Sequence, residues 1–335
     1  MIECEKHSHT AARMGHSVPG SATVAGFCKR GFTLLEILVA TVILAGMVVL
    51  LASVAHQVSD LWRRVEAENQ RRDAARVLLH FLARELAMAS HPVPAAPAAT
   101  GGDNLQLIVN LPATADNPGG IPAAFCSPHA IFYQSPVAQN TSRGEIAEVG
   151  YFIQWDTAQP GKALPRLCRL FVEPTDTSHY LVYTPGGNWP SAAATVATAT
   201  APTYRGWLSD NVIALWIRCL DASGQPITQN AAGETLNSGY GFDSRQGYRD
   251  PSSGTVHLAP ALPPCVEIAL VVADSRTVAN IKTPLIPTVT TPADFGKDAA
   301  TPGSILYFME HLPPEIKAGV RLFSTRVFLS ASKQL

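Results

Sequence analysis

From Phe32 to Ala55 the sequence FTLLEILVATVILAGMVVLLASVA holds 24 residues with one ionisable side chain, Glu36. A helix needs about 20 apolar residues to cross a bilayer, so the pattern predicts a transmembrane helix over 32–55. Beyond it Val58, Leu61, Trp62, Val65, Ala75, Leu78, Leu79, Leu82 and Leu86 recur at spacings of three, four and their sums, which is an amphipathic helical stripe. Asp60 with Arg64 and Glu68 with Arg72 place acid before base four residues apart, a weakly stabilising arrangement on a helix face. Around Glu68 to Arg72 polar residues occupy the turn that should face inward, and this stretch is expected to cross open solvent. His91-Pro92 removes a donor and disfavours helical geometry before it, ending the helix near Ser90.

After residue 90 the periodicity changes to short runs of β-formers between turn residues. Strands are expected at Leu105–Asn110, Ala130–Gln134, Ile146–Trp155, Arg166–Glu173, Tyr180–Tyr183, Val212–Leu220, Cys265–Ala273, Ile305–Phe308 and Val320–Leu329. In the third of these Ala147, Val149, Tyr151, Ile153 and Trp155 share one parity, with Glu148, Gln154 and Asp156 on the other, and one face is expected to pack on the helix. Thr184–Tyr204 and Ser223–Pro260 read as surface loops. The fold class is therefore α+β: a long N-terminal helix, transmembrane in its first half, on an antiparallel β-rich head. The organisation expected is a leader over 1–31, the membrane segment over 32–55, its amphipathic continuation over 56–90 and the head over 91–335.

Charge adds direction. With 25 Lys and Arg against 26 Asp and Glu, nothing overall attracts nucleic acid. Lys29 and Arg30 flank the apolar run on its N-terminal side, which keeps that end cytoplasmic and exports the rest. Glu36 is the exception, because a charged side chain in lipid costs about 2.5–3.5 kcal/mol and usually has a partner. Lys29-Arg30-Gly31-Phe32-Thr33-Leu34-Leu35-Glu36 resembles the type IV prepilin signal: basic residues, Gly, an apolar first mature residue and Glu at the fifth mature position.

The resemblance implies cleavage between Gly31 and Phe32 by a prepilin peptidase and N-methylation of Phe32. It further implies that Glu36 pairs with the N-terminal amine of a neighbouring pilin-like subunit and so acts in assembly. A leader of 31 residues follows if Met1 is the start, and a shorter one if Met14 is. Two rival readings fit less well. A secretory signal cut after Ser53-Val54-Ala55 would carry a basic region of about 30 residues and too long an apolar core. A plain single-pass anchor leaves Gly31 to Glu36 unexplained.

Within this superfamily RRDAARVLLHFLARELAMAS, GYFIQWDTAQPGKALPRLCRLFVEP, WLSDNVIALWIRCLDASGQ and LPPCVEIALVV resemble stretches of the J-type minor pseudopilins of type II secretion. Size and insertions resemble the Verru/Chthon cassette protein C family. The implied function is a structural subunit of a pseudopilus, acting in tip assembly and protein export, and not an enzyme. Implied partners are the peptidase, other subunits met through the N-terminal helix, the inner-membrane assembly platform and membrane lipid. The implied location is the inner membrane, single-pass with a periplasmic head, or the pseudopilus itself. The alternative is a minor type IV pilin for pilus assembly, adhesion or DNA uptake, distinguished by whether neighbouring genes encode secretin-type components or retraction machinery.

Candidate chemistry changes this little. Cys126, Cys168, Cys219 and Cys265 would remain after cleavage and permit disulfides in three connectivities, or remain as buried thiols. His129, His179, His257 and His311 are scattered, and Asp243 and Asp250 lack the spacing of a calcium loop. No cofactor or metal is expected. A hydrolase assembled from distant residues would need Ser or Asp beside His in a pocket.

Overall fold

The computed structural model describes residues 33–90, 106–111, 121, 125, 129–182, 189–190, 205–235, 241–287 and 304–329. Two compact units divide the chain, the first ending at Leu61 and the second running from Trp62. Helix α1 covers Leu34–Ala87. Its portion Leu34–Arg63 is long and apolar enough to cross a membrane, with none of its most apolar window buried.

α1 stops at Ala87, short of the expected Ser90, because the sheet claims the next backbone groups. The Ser90 N–H donates to the Gln134 carbonyl at 2.7 Å, and the Ser135 hydroxyl donates to the Met88 carbonyl at 3.1 Å. The stretch Glu68 to Arg72, expected to cross open solvent, is exposed at Asn69 and Arg72 but turns inward at Arg71. α1 continues through it and Arg71 is buried. The Arg71 guanidinium donates to the Gly319 carbonyl at 2.7 Å and to Glu68 at 2.8 Å, and lies 3.5 Å from Asp274. Polar residues can face inward here because carbonyl and carboxylate oxygens meet them.

In the second unit β1 (Ile108–Val109), β2 (Ile131–Ser135), β3 (Ala147–Asp156), β4 (Leu164–Val172), β5 (Arg205–Ser209) and β7 (Phe242–Asp243) form an antiparallel six-stranded sheet. Their order across it is β5-β4-β3-β2-β1-β7. β6 (Val212–Leu220), β10 (Cys265–Ala273) and β11 (Val320–Phe328) form a three-stranded sheet ordered β11-β10-β6. β8 (Tyr248–Arg249) and β9 (Val256–His257) form a small hairpin. An apolar helix followed by antiparallel sheets makes the class α+β.

Burial explains the strand sequences. Leu78, Leu79, Leu82 and Leu86 of α1 share one buried cluster with Val149, Tyr151 and Ile153 of β3 and with Leu215, Ile217, Val266 and Ile268. On the opposite parity of β3, expected to be polar, Glu148, Gly150 and Phe152 are buried, while Gln154 and Asp156 are half-buried. Phe152 stacks with Phe125 at 4.1 Å between ring centres, and Glu148 is 2% exposed. Gly150 lies opposite Phe132 in register, and a side chain there would run into the Phe132 ring.

Other expectations shift. Ile305–Phe308 is not a strand but the start of a helix, Ile305–Glu310, whose N-cap Ser304 hydroxyl accepts the Tyr307 N–H at 3.0 Å. A short apolar run has no period that distinguishes the two. Tyr180 and Leu181 form no strand, Leu105–Asn110 narrows to β1 within the described residues, and β5 adds an unexpected strand. Ser223–Pro260 contains β7, β8 and β9 instead of only loop. Short helices span Ser275–Ala279 and Pro314–Lys317. Of the other expected loop, positions 184–188 and 191–204 lie outside the described residues, as does Cys126.

Candidate functional site

Gly31 and Phe32, the expected cleavage and methylation residues, lie outside the described residues. Glu36 is placed in the first turn of α1. Thr33 donates to Glu36 Oε2 through its backbone N–H at 2.9 Å and its hydroxyl at 3.0 Å, and Thr33 Oγ1 accepts the Glu36 N–H at 3.3 Å. Thr33-Leu34-Leu35-Glu36 is thus a reciprocal capping box, and its Thr-x-x-Glu spacing is a helix-start signal carried by the sequence itself. Capping occupies one carboxylate oxygen, and Oε1 is left for a second contact. The site is a single exposed acid at the head of an apolar helix.

A second polar cluster closes the other end of α1. Arg169 of β4 grips Glu85 in two hydrogen bonds, Nη2 to Oε1 at 2.6 Å and Nε to Oε2 at 3.0 Å. The Tyr151 hydroxyl of β3 donates to the same Oε2. Register puts Tyr151 directly opposite Arg169, so two neighbouring strands deliver both donors to one buried acid. The Arg169 guanidinium also lies 4.1 Å from the Phe171 ring centre, a cation–π contact. Burial, followed by the nearby Glu85 charge, pushes the Tyr151 phenol well up. This cluster fixes where the end of α1 meets β3 and β4.

Several other ionisable groups among the described residues are engaged structurally. The His129 ring nitrogen Nδ1 accepts the Ile217 N–H at 2.8 Å, and burial pulls its pKa down to about 3. Glu148 accepts the Leu181 N–H at 2.9 Å, and burial pushes its carboxyl up to about 8. His257 stacks on Tyr248 at 4.4 Å, while the Ser252 hydroxyl donates to Asp221. Asp243 pairs with Arg245 at 3.2 Å, and Asp250 accepts the Ser252 and Ser253 N–H groups. Cys168, Cys219 and Cys265 are buried thiols, and burial raises the pKa values of Cys219 and Cys265, which keeps them poor nucleophiles. Among the described residues no group of three or more His, Cys, Asp or Glu could hold a metal ion.

A cleft of about 310 Å³ lies between Pro284–Pro287 and the segment Tyr307–Pro313. Tyr307 and His311 stack at 3.8 Å there. Its lining is mainly apolar, with no convergent acid and base. Comparison with protein-family models, curated proteins and solved structures finds no match for the chain.

Proposed function

We propose that the chain is a minor pseudopilin, a structural subunit held in the inner membrane by α1 with its β-rich head on the periplasmic side. A prepilin peptidase cuts between Gly31 and Phe32, the Phe32 amine is methylated, and the subunit joins others through the apolar helix near the tip of a pseudopilus serving protein export. The observation that carries this reading is Lys29-Arg30-Gly31-Phe32-Thr33-Leu34-Leu35-Glu36, which runs directly into a span-length apolar helix. A further support is the capping box: Glu36 arranges its own turn through Oε2, and Oε1 receives the new cation of an adjacent subunit, whose α-amine has an ordinary pKa near 7.7–8.0.

Sequencing and mass analysis of the mature polypeptide test the proposal. N-methyl-phenylalanine at position 32 is the expected first residue. A chain beginning at His56, or one still carrying Met1 or Met14, overturns it. Replacing Gly31 with a bulky residue is expected to leave the precursor uncut, since the narrow groove of a protease favours a residue without a side chain.

A further inference from the structure

The two sheets of the head end differently. The six-stranded sheet finishes on strands of five and two residues, β5 and β7, whereas the three-stranded sheet finishes on β11, which is nine residues long. β6 and β10 are buried at every position, and β11 is exposed or half-buried at seven of its nine. Among the described residues no strand pairs with the outer edge of β11. Such an edge presents a row of backbone donors and acceptors ready to pair with another extended chain.

A line of charges crosses this sheet in register. Arg218 of β6 stands opposite Glu267 of β10, and Glu267 stands opposite Arg326 of β11. Arg218 donates from Nε to Glu267 Oε2 at 2.7 Å, and Arg326 Nε lies 3.3 Å from Oε1. The order across the sheet is positive, negative, positive. One carboxylate is shared by two guanidinium groups, so the line ends in excess positive charge on Arg326, whose side chain is 51% exposed. Two positions along the same face Phe328 is 66% exposed.

We propose that β11 accepts an additional strand from a partner protein, an extended segment with Asp or Glu opposite Arg326 and an apolar residue opposite Phe328. Opposite charges facing one another across strands stabilise pairing, and like charges oppose it. The next member of the alternating line is therefore a carboxylate. The apolar neighbour covers the ring that β11 leaves in solvent. Backbone pairing supplies affinity and the two side-chain positions supply selectivity, as in other strand-addition complexes.

The test uses the full chain in detergent micelles and a fluorescent eight-residue peptide of alternating Thr and Val, with Glu at one central position or Lys in its place. Anisotropy is expected to show the Glu peptide binding about fivefold more tightly than the Lys peptide at low salt. Arg326→Glu should reverse that order, and Arg326→Gln, which leaves Glu267 its Arg218 partner, should abolish the preference. N-methylation of alternate peptide residues on the pairing edge should eliminate binding. The proposal is overturned by equal affinity for both peptides, by binding that survives N-methylation, or by no binding up to about 1 mM. In the last case Arg326 guards the edge against pairing.

Discussion

A carboxylate at 7% exposure persists as an anion only where donors surround it, and Glu85 has three, two from Arg169 and one from Tyr151. Arg169→Met strands that charge and is expected to cost about 3–5 kcal/mol, read as a lower urea midpoint with an unchanged slope. Arg169→Met combined with Glu85→Leu should recover most of the loss, since an apolar pair of similar volume replaces a buried ion pair with little penalty. At the other end of α1, Thr33→Val separates two roles of Glu36. It removes the cap and keeps the charge. If Glu36 acts on a neighbouring subunit, Thr33→Val is cut, methylated and incorporated normally while Glu36→Val is cut but poorly methylated or incorporated. An equal defect in both variants, measured in purified filaments, would reduce Glu36 to a helix cap.

Among the elements, those with continuous apolar runs were legible. β6 and β10 occupy the expected bounds Val212–Leu220 and Cys265–Ala273, because strands buried on both faces carry unbroken β-branched and aliphatic residues. β5 was not legible, since Arg205-Gly206-Trp207-Leu208-Ser209 lacks both a run and an alternation. The inward turn of α1 misled for another reason. Its partner, the Gly319 carbonyl, is 248 residues away, beyond the reach of local pattern. Gly319 itself is constrained, as a side chain there would collide with Thr277 and crowd Asp274. Gly319→Ala is expected to lose about 1–3 kcal/mol in thermal unfolding. Adding Thr277→Ala should restore part of it, which a loss due to the Arg71 contact alone would not allow.

At the scale of the whole molecule, pH dependence follows from two buried groups with opposite signs. His129 has an ordinary pKa of 6.5 and a folded one of about 3. The unfolded chain binds more protons in that interval, so stability rises with pH across it and is lost on acidification. Glu148 runs from 4.5 unfolded to about 8 folded. The folded chain binds the extra proton there, so stability falls as pH rises through that interval. Between 4.5 and 6.5 the two slopes oppose one another, and a plateau is expected in urea titrations. Below it His129 gives a decline, and above it Glu148 gives another, each at most about 1.4 kcal/mol per pH unit. Glu148→Gln should flatten the alkaline side and turn the plateau into a rise that ends near pH 6.5, where His129 alone then acts. Neither group was legible as buried, because Glu148 occupies the parity of β3 that reads as solvent-facing and His129 stands alone in the sequence.

The thiols hidden in the sheets give the head a built-in clock. Cys168 sits on β4, while Cys219 and Cys265 sit on β6 and β10, so an alkylating reagent meets each sulfur only when its own sheet breathes open. Pulse labelling followed by peptide mass mapping would then tell, strand by strand, which half of the head loosens first.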